Sequence, residues 1–129
     1  LPSFSGLESA EIVKLLMKIK NPSAAVKASV TGAIEWFGAH KLENTRWDYF
    51  TNSQGERDRR IVQDPGAGDL WARFYDLETG EPFVCDRDGI KKKNLEEISY
   101  ERRNNYSWYT DEPQEVIDKY PEWKARWVK

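Results

Sequence analysis

Apolar positions repeat at helical spacing through residues 1–40 and at strand spacing after them. Ile12, Leu15, Leu16 and Ile19 fall at i, i+3, i+4 and i+7, which marks one face of a helix. Ser5 and Glu8 stand ahead of them at capping-box spacing, so a first helix is predicted to run to about Lys20. Asn21-Pro22-Ser23 stops it and caps a second helix, with Val26, Val30, Ile34 and Phe37 on its apolar face. Two helices joined by so tight a turn are expected to form an antiparallel pair, with Met17 and Trp36 at the core or its edge.

From Arg46 the period changes. Trp47 to Thr51 is rich in strand formers, Asn52 to Gly55 is a loop, and Arg59 to Gln63 is a second short strand. Asp64 to Asp69 is turn chemistry throughout. Trp71–Leu77 and Pro82–Asp86 flank Glu78-Thr79-Gly80-Glu81 and predict a hairpin, with Pro82 at an edge and Arg87 in the loop beyond. Within Trp71–Asp76, strict alternation sends Ala72 and Phe74 to one side and Trp71, Arg73 and Tyr75 to the other. The first side suits a core, and the second is an aromatic–arginine face. Asn94 with Glu97 caps a further helix that turns Leu95 and Ile98 inward, brings Arg102 near that face and ends by Asn104-Asn105. A last helix starts at Asp111-Glu112-Pro113 and carries Val116, Ile117 and Tyr120. Pro121 is expected to interrupt it, leaving Trp123 and Trp127 as a short ridge. The fold class predicted is α+β, with an N-terminal helical pair, a small antiparallel sheet and C-terminal helices.

Length and charge narrow the function. With 129 residues the chain is one domain, with enough chain for one proper core. A net charge of −2 gives no basic excess for nucleic acid, and no apolar run approaches a membrane span. One Cys excludes an internal disulfide. With no signal peptide and Leu1 at its start, the sequence reads as a processed or excised piece of something longer. His40 is alone, which argues against a zinc site or a Ser-His-Asp triad. Asp86-Arg87-Asp88-Gly89 suggests a calcium loop, but Ile90 and Lys91 stand where such a loop needs an oxygen ligand and Gly. Cys85 in a strand pattern reads as a small buried apolar residue.

The candidate chemistry lies between Leu70 and Tyr109, where Trp71, Arg73, Tyr75, Arg87, Arg102, Arg103, Trp108 and Tyr109 are concentrated. A guanidinium fork matches a carboxylate two bonds at a time. An aromatic ring offers a rigid apolar face with a polar edge. An acidic sugar polymer presents both kinds of partner. The candidate binding residues are Arg73, Arg87, Trp71, Tyr75, Arg102, Trp108 and Tyr109. Lys91-Lys92-Lys93 beside them is either a solvated loop or a source of extra positive potential.

LWARFYDLETGEPFVCDRDGIKKKNLEEISYERRNNYSWY resembles the C-terminal part of the polysaccharide lyase family 10 pectate lyases, in its WARFY segment, its RDG turn and its ERRN-x-Y-x-WY helix end. LPSFSGLESAEIVKLLMKIKNPS and the closing PQEVIDKYPEWKAR resemble that family too. The resemblance implies one truncated half of a helix-rich lyase domain with a cleft for polygalacturonate. It places Arg73 and Arg87 where the family's arginines help to hold substrate carboxylates, and Trp108 and Tyr109 in its aromatic segment. In the family, an arginine removes the C5 proton and calcium bridges substrate to aspartates. Residues 1–40 contain no Arg, and the family's calcium aspartates and base belong to a portion ahead of Leu1. Asn105 stands where the family usually has Gly.

Residues 1–129 are therefore read as a single lyase-derived domain that binds pectic acid (homogalacturonan) without cleaving it. It would be a secreted carbohydrate-binding module, partnered by other modules of the same plant-cell-wall-degrading enzyme. No cofactor is needed for binding, and calcium enters only through the resemblance. One alternative is the C-terminal fragment of an active pectate lyase. The other is a structural or protein-interaction module, marked by burial of Trp71, Tyr75 and Trp108 and internal pairing of Arg73 and Arg87.

Overall fold

A computed structural model describes residues 3–128. β1 (Ser3–Phe4) leads into α1 (Gly6–Met17), followed by α2 (Ala24–His40). The long hairpin β2 (Thr45–Thr51) and β3 (Arg57–Gln63) comes next. Four strands of two residues follow, β4 (Trp71–Ala72), β5 (Tyr75–Asp76), β6 (Val84–Cys85) and β7 (Lys91–Lys92). A 3-10 turn (Leu95–Glu97), α3 (Tyr100–Asn104), β8 (Tyr109–Thr110) and α4 (Glu112–Trp127) complete the chain. The α+β class holds. The strands form four separate antiparallel pairs, β1 with β5, β2 with β3, β4 with β8 and β6 with β7, rather than one sheet. No helix among the described residues is long and apolar enough to cross a membrane.

α1, α2 and α4 pack around one core of Ala10, Val13, Val30, Phe37, Trp71, Val116 and Trp123. A second core under the short strands gathers Ala72, Tyr75, Val84, Cys85, Leu95, Ile98, Trp108 and Tyr109. Met17 and Trp36 pack at the margin of the helical core, as expected. Ser5 caps α1 by accepting the Glu8 amide at 3.2 Å, and Ser23 caps α2 through the Val26 amide. Gly6 has a steric reason to be glycine: a Cβ there would stand 2.6 Å from the Ala72 carbonyl oxygen. Its absence lets α1 begin directly against β4.

Three expectations are corrected. The buried side of α1 is Gly6, Ala10 and Val13, while Ile12, Leu15 and Ile19 are 57%, 65% and 41% exposed. Small residues won because α1 must approach both β4 and α4 closely. The helix expected from Asn94 is two pieces, a 3-10 turn closed by the Asn94 amide donating to Glu97 at 2.9 Å and then α3 capped at Ser99. Its inward residues are as read, since Leu95 and Ile98 are buried. α4 runs unbroken through Pro121. That proline lies on the exposed side, where a lost helix hydrogen bond is least damaging. Docking on α1, where Lys14 bridges Glu112 and Glu115, fixes the helix on the N-terminal side of it.

Candidate functional site

Alternation along residues 71–76 fails at one bend. The Ala72 amide donates to the Tyr75 hydroxyl at 2.8 Å, closing a turn at Arg73-Phe74. This ends β4 and starts β5 in a new direction. Trp71, Ala72 and Tyr75 all turn inward, at 0%, 1% and 1% exposure, and Arg73 and Phe74 are brought to the surface. The Trp71 indole donates to the Phe37 carbonyl at 2.9 Å, and the Tyr75 hydroxyl to the His40 carbonyl at 2.9 Å. Burial pushes the Tyr75 phenol above its ordinary pKa. Trp71 and Tyr75 thus hold the two cores together and have no face to show a ligand.

Trp108 and Tyr109 are buried as well. The Trp108 indole donates to the Arg102 carbonyl at 2.8 Å, while its own carbonyl accepts the Arg73 amide at 2.8 Å. It positions two arginines without reaching the surface. Tyr109 packs edge-on to Trp47, and burial pushes its pKa up to about 12.

Phe74 and Tyr106 are half-buried, and with buried Phe83 they border an open hollow. Phe74, Phe83, Cys85, Asp86, Arg87, Gly89, Arg102 and Tyr106 line an open hollow of about 360 Å³. The Arg102 guanidinium lies 5.0 Å from the Tyr106 ring, and that of Arg73 lies 4.6 Å from the same ring. One tyrosine therefore stands within cation–π reach of two arginines. Phe74 stacks with Phe83 and with Tyr106 at centroid distances of 5.9 and 6.2 Å. Arg59 holds the Tyr106 loop in place, donating to the carbonyls of Arg103 and Tyr106. Strict alternation within residues 71–76 had sent Phe74 to the core, and Tyr106, Phe83 and Arg59 were not singled out in the sequence. Tyr106 lies inside the ERRNNYSWY stretch already singled out, so its signal was present.

The charges differ in availability. Arg73 donates Nη2 to Glu8 at 2.8 Å, and Arg87 donates Nη2 to Glu101 at 2.5 Å. The second pair is 75% and 61% exposed, so solvent leaves little net energy in it. Arg102 donates Nε to the Cys85 carbonyl at 3.3 Å and has no carboxylate partner within 4.0 Å among the described residues. Arg103 turns away and pairs with buried Asp58. Burial raises the Glu8 carboxyl, but hydrogen bonds from Ser5 and Arg73 outweigh it and hold the group below its ordinary value.

Two acids near the hollow are engaged by backbone amides. Asp86 accepts the Ser99 amide and Asp88 the Ile90 amide, each at 2.9 Å. Among the described residues no group of three His, Cys, Asp or Glu is placed to hold a metal ion.

A model of the family described as pectic acid lyase matches residues 1–117. The chain belongs to the family 10 polysaccharide lyases, the pectic acid lyase family. It is similar to a family 10 polysaccharide lyase from Cellvibrio cellulosa, with 32% identity over 95% of this chain and a TM-score of 0.77. A mutant of a family 10 lyase from that organism, in complex with trigalacturonic acid, matches with 32% identity over 95% of this chain and a TM-score of 0.78. The chain spans 37% and 36% of the length of these two solved lyase chains, just over a third. No curated protein sequence matches it.

Proposed function

We propose that this chain binds pectic acid (homogalacturonan) through the arginine–aromatic hollow without cleaving it, as a module of a larger secreted, plant-cell-wall-degrading enzyme. One observation carries the reading. Tyr106 lies within cation–π reach of both the Arg73 and Arg102 guanidinium groups, at 4.6 and 5.0 Å, beside exposed Arg87 and a hollow bordered by Phe74 and Phe83. A polyuronate offers carboxylates for the forks and sugar faces for the rings. The family's substrate class gives the same chemistry from an independent side. The binding role is preferred to cleavage because the resemblance puts the base arginine and calcium aspartates outside this chain. No cofactor is required for binding in this reading.

A second reading has its own support. The chain spans 37% of the solved lyase, so it is also the size of a C-terminal piece that would act in pectate cleavage once joined to the remainder. Burial of Trp71, Tyr75 and Trp108 and the pairing of Arg73 and Arg87 match the marks of a structural module. The hollow with carboxylate-free Arg102 is what that reading leaves without a role.

The test is titration of the chain with polygalacturonate at rising sodium chloride and with fully methyl-esterified pectin. Binding that weakens with salt and is absent for the ester supports the proposal, since an ester cannot accept a charged bidentate pair. Equal binding of acid and ester would refute it.

A further inference from the structure

We propose that the hollow beside Lys91–Lys93 is a second uronate subsite, continuing the arginine hollow along a single bound chain. This rests on the reading above that the arginine hollow takes polyuronate.

The two hollows share a wall. Phe83 lines both the arginine hollow and a neighbouring one of about 250 Å³, which is otherwise bounded by Asp76, Thr79, Glu81, Pro82 and the three lysines. β6 and β7 bring the two sides into register, with Cys85 opposite Lys91 and Val84 opposite Lys92. Cys85 and Gly89 border the first hollow and Lys91 the second, so one hairpin of the backbone passes from one to the other. Gly89 has φ +76°, which makes that hairpin turn possible in so few residues.

The lysines are not equivalent. Lys91 is committed: its Nζ lies 2.5 Å from Asp76 and 4.9 Å from the Phe83 ring. Asp76 also accepts the amides of Glu78 and Thr79, so it is a fixed acceptor that neutralises Lys91. Lys92 and Lys93 have no carboxylate within 4.0 Å among the described residues. They outnumber Glu81, the remaining acid of the hollow. An ammonium is a compact charge with rotatable donors, so this subsite would read the carboxylate's charge, while the arginine hollow reads its planar geometry. The ligand class is an uninterrupted run of uronates long enough to cross Phe83.

The test titrates the full chain with digalacturonate and with hexagalacturonate, comparing wild type, Lys92→Gln/Lys93→Gln and a control of equal charge loss, Lys18→Gln/Lys27→Gln. The expected result is that hexagalacturonate binds wild type more tightly than digalacturonate does. The Lys92/Lys93 variant should lose about fivefold for the hexamer only, the scale of two exposed ion-pair contacts. The control should keep the length preference. Equal weakening of both ligands, an equal effect from the control, or no effect at all overturns the second subsite and leaves the arginine reading standing. If wild type binds neither oligomer, the arginine reading falls and this one with it.

Discussion

Glu8 Oε1 accepts both Nε and Nη2 of Arg73, at 3.2 and 2.8 Å, joining the first turn of α1 to the bend between β4 and β5. Gly6 makes the approach possible, and Ser5 orients the carboxylate from its other side. The acid holds Arg73 beside Tyr106 and at the same time competes with any carboxylate ligand. Glu8→Gln is therefore expected to tighten polygalacturonate binding by about threefold, with a stability loss below about 1 kcal/mol, because the pair is partly exposed. Calorimetric titration and a urea midpoint check the two halves. Weaker binding in Glu8→Gln would mean that the pair positions Arg73 more than it masks it.

Asp58 and Arg103 behave differently because they are buried. Arg103 donates Nε to Oδ1 at 2.8 Å and Nη2 to Oδ2 at 2.7 Å, and Asn104 and the Arg59 amide add further bonds to Oδ1. The Arg103 hydrogen bonds outweigh burial and hold the Asp58 carboxyl far below the usual aspartate range. Removing one partner strands a buried charge, so Arg103→Ala is expected to cost about 3 kcal/mol in urea unfolding. The folded pKa is depressed, so this stabilisation is complete above about 3.9, the unfolded aspartate value, and is lost as pH falls toward the folded value. Asp58→Asn should flatten the acid limb of the stability curve between roughly pH 4 and pH 2. An unchanged acid limb would contradict the assignment.

Trp71 and Tyr106 separate core from site. Trp71→Ala removes a fully buried ring and is expected to cost about 3–5 kcal/mol. Tyr106→Leu keeps apolar bulk, costs about 1 kcal/mol, and should weaken polygalacturonate binding about fivefold through the lost cation–π contacts. Denaturation and titration on both variants decide this. A Tyr106→Leu protein that binds as well as wild type would remove the ring from the site.

These contrasts show what the sequence made legible. Helix caps at Ser5 and Ser23, the strands read at residues 47–51 and 59–63 and the turn after Asp76 are local chemistry, and the structure has each of them. Of the arginines singled out in the sequence, Arg87 and Arg102 border one hollow, and Arg73 and Arg102 approach the same Tyr106 ring. Trp71 and Tyr75 are buried rather than exposed because a hydroxyl-to-amide bond between Tyr75 and Ala72 breaks the period of two, and no local propensity announces that bond. The same limit affected α1. Its periodicity pointed to the larger aliphatics, but close packing against β4 and α4 selected Gly6, Ala10 and Val13.

That inversion on α1 is itself testable. Ile12→Lys and Leu15→Lys lie on the exposed side and should shift stability by less than about 0.5 kcal/mol. Val13→Ala, one position along, should cost about 2 kcal/mol. Urea midpoints in the reverse order would restore the face that periodicity alone suggested.

The most direct test of the central claim is isothermal titration of this chain with polygalacturonate, with and without a chelator, while absorbance is followed for unsaturated product. The account predicts binding that survives chelation, yields no product, and is lost or weakened about tenfold in Arg87→Ala and Arg102→Ala. Product formation would contradict the non-catalytic assignment. Absence of binding heat would contradict the site itself.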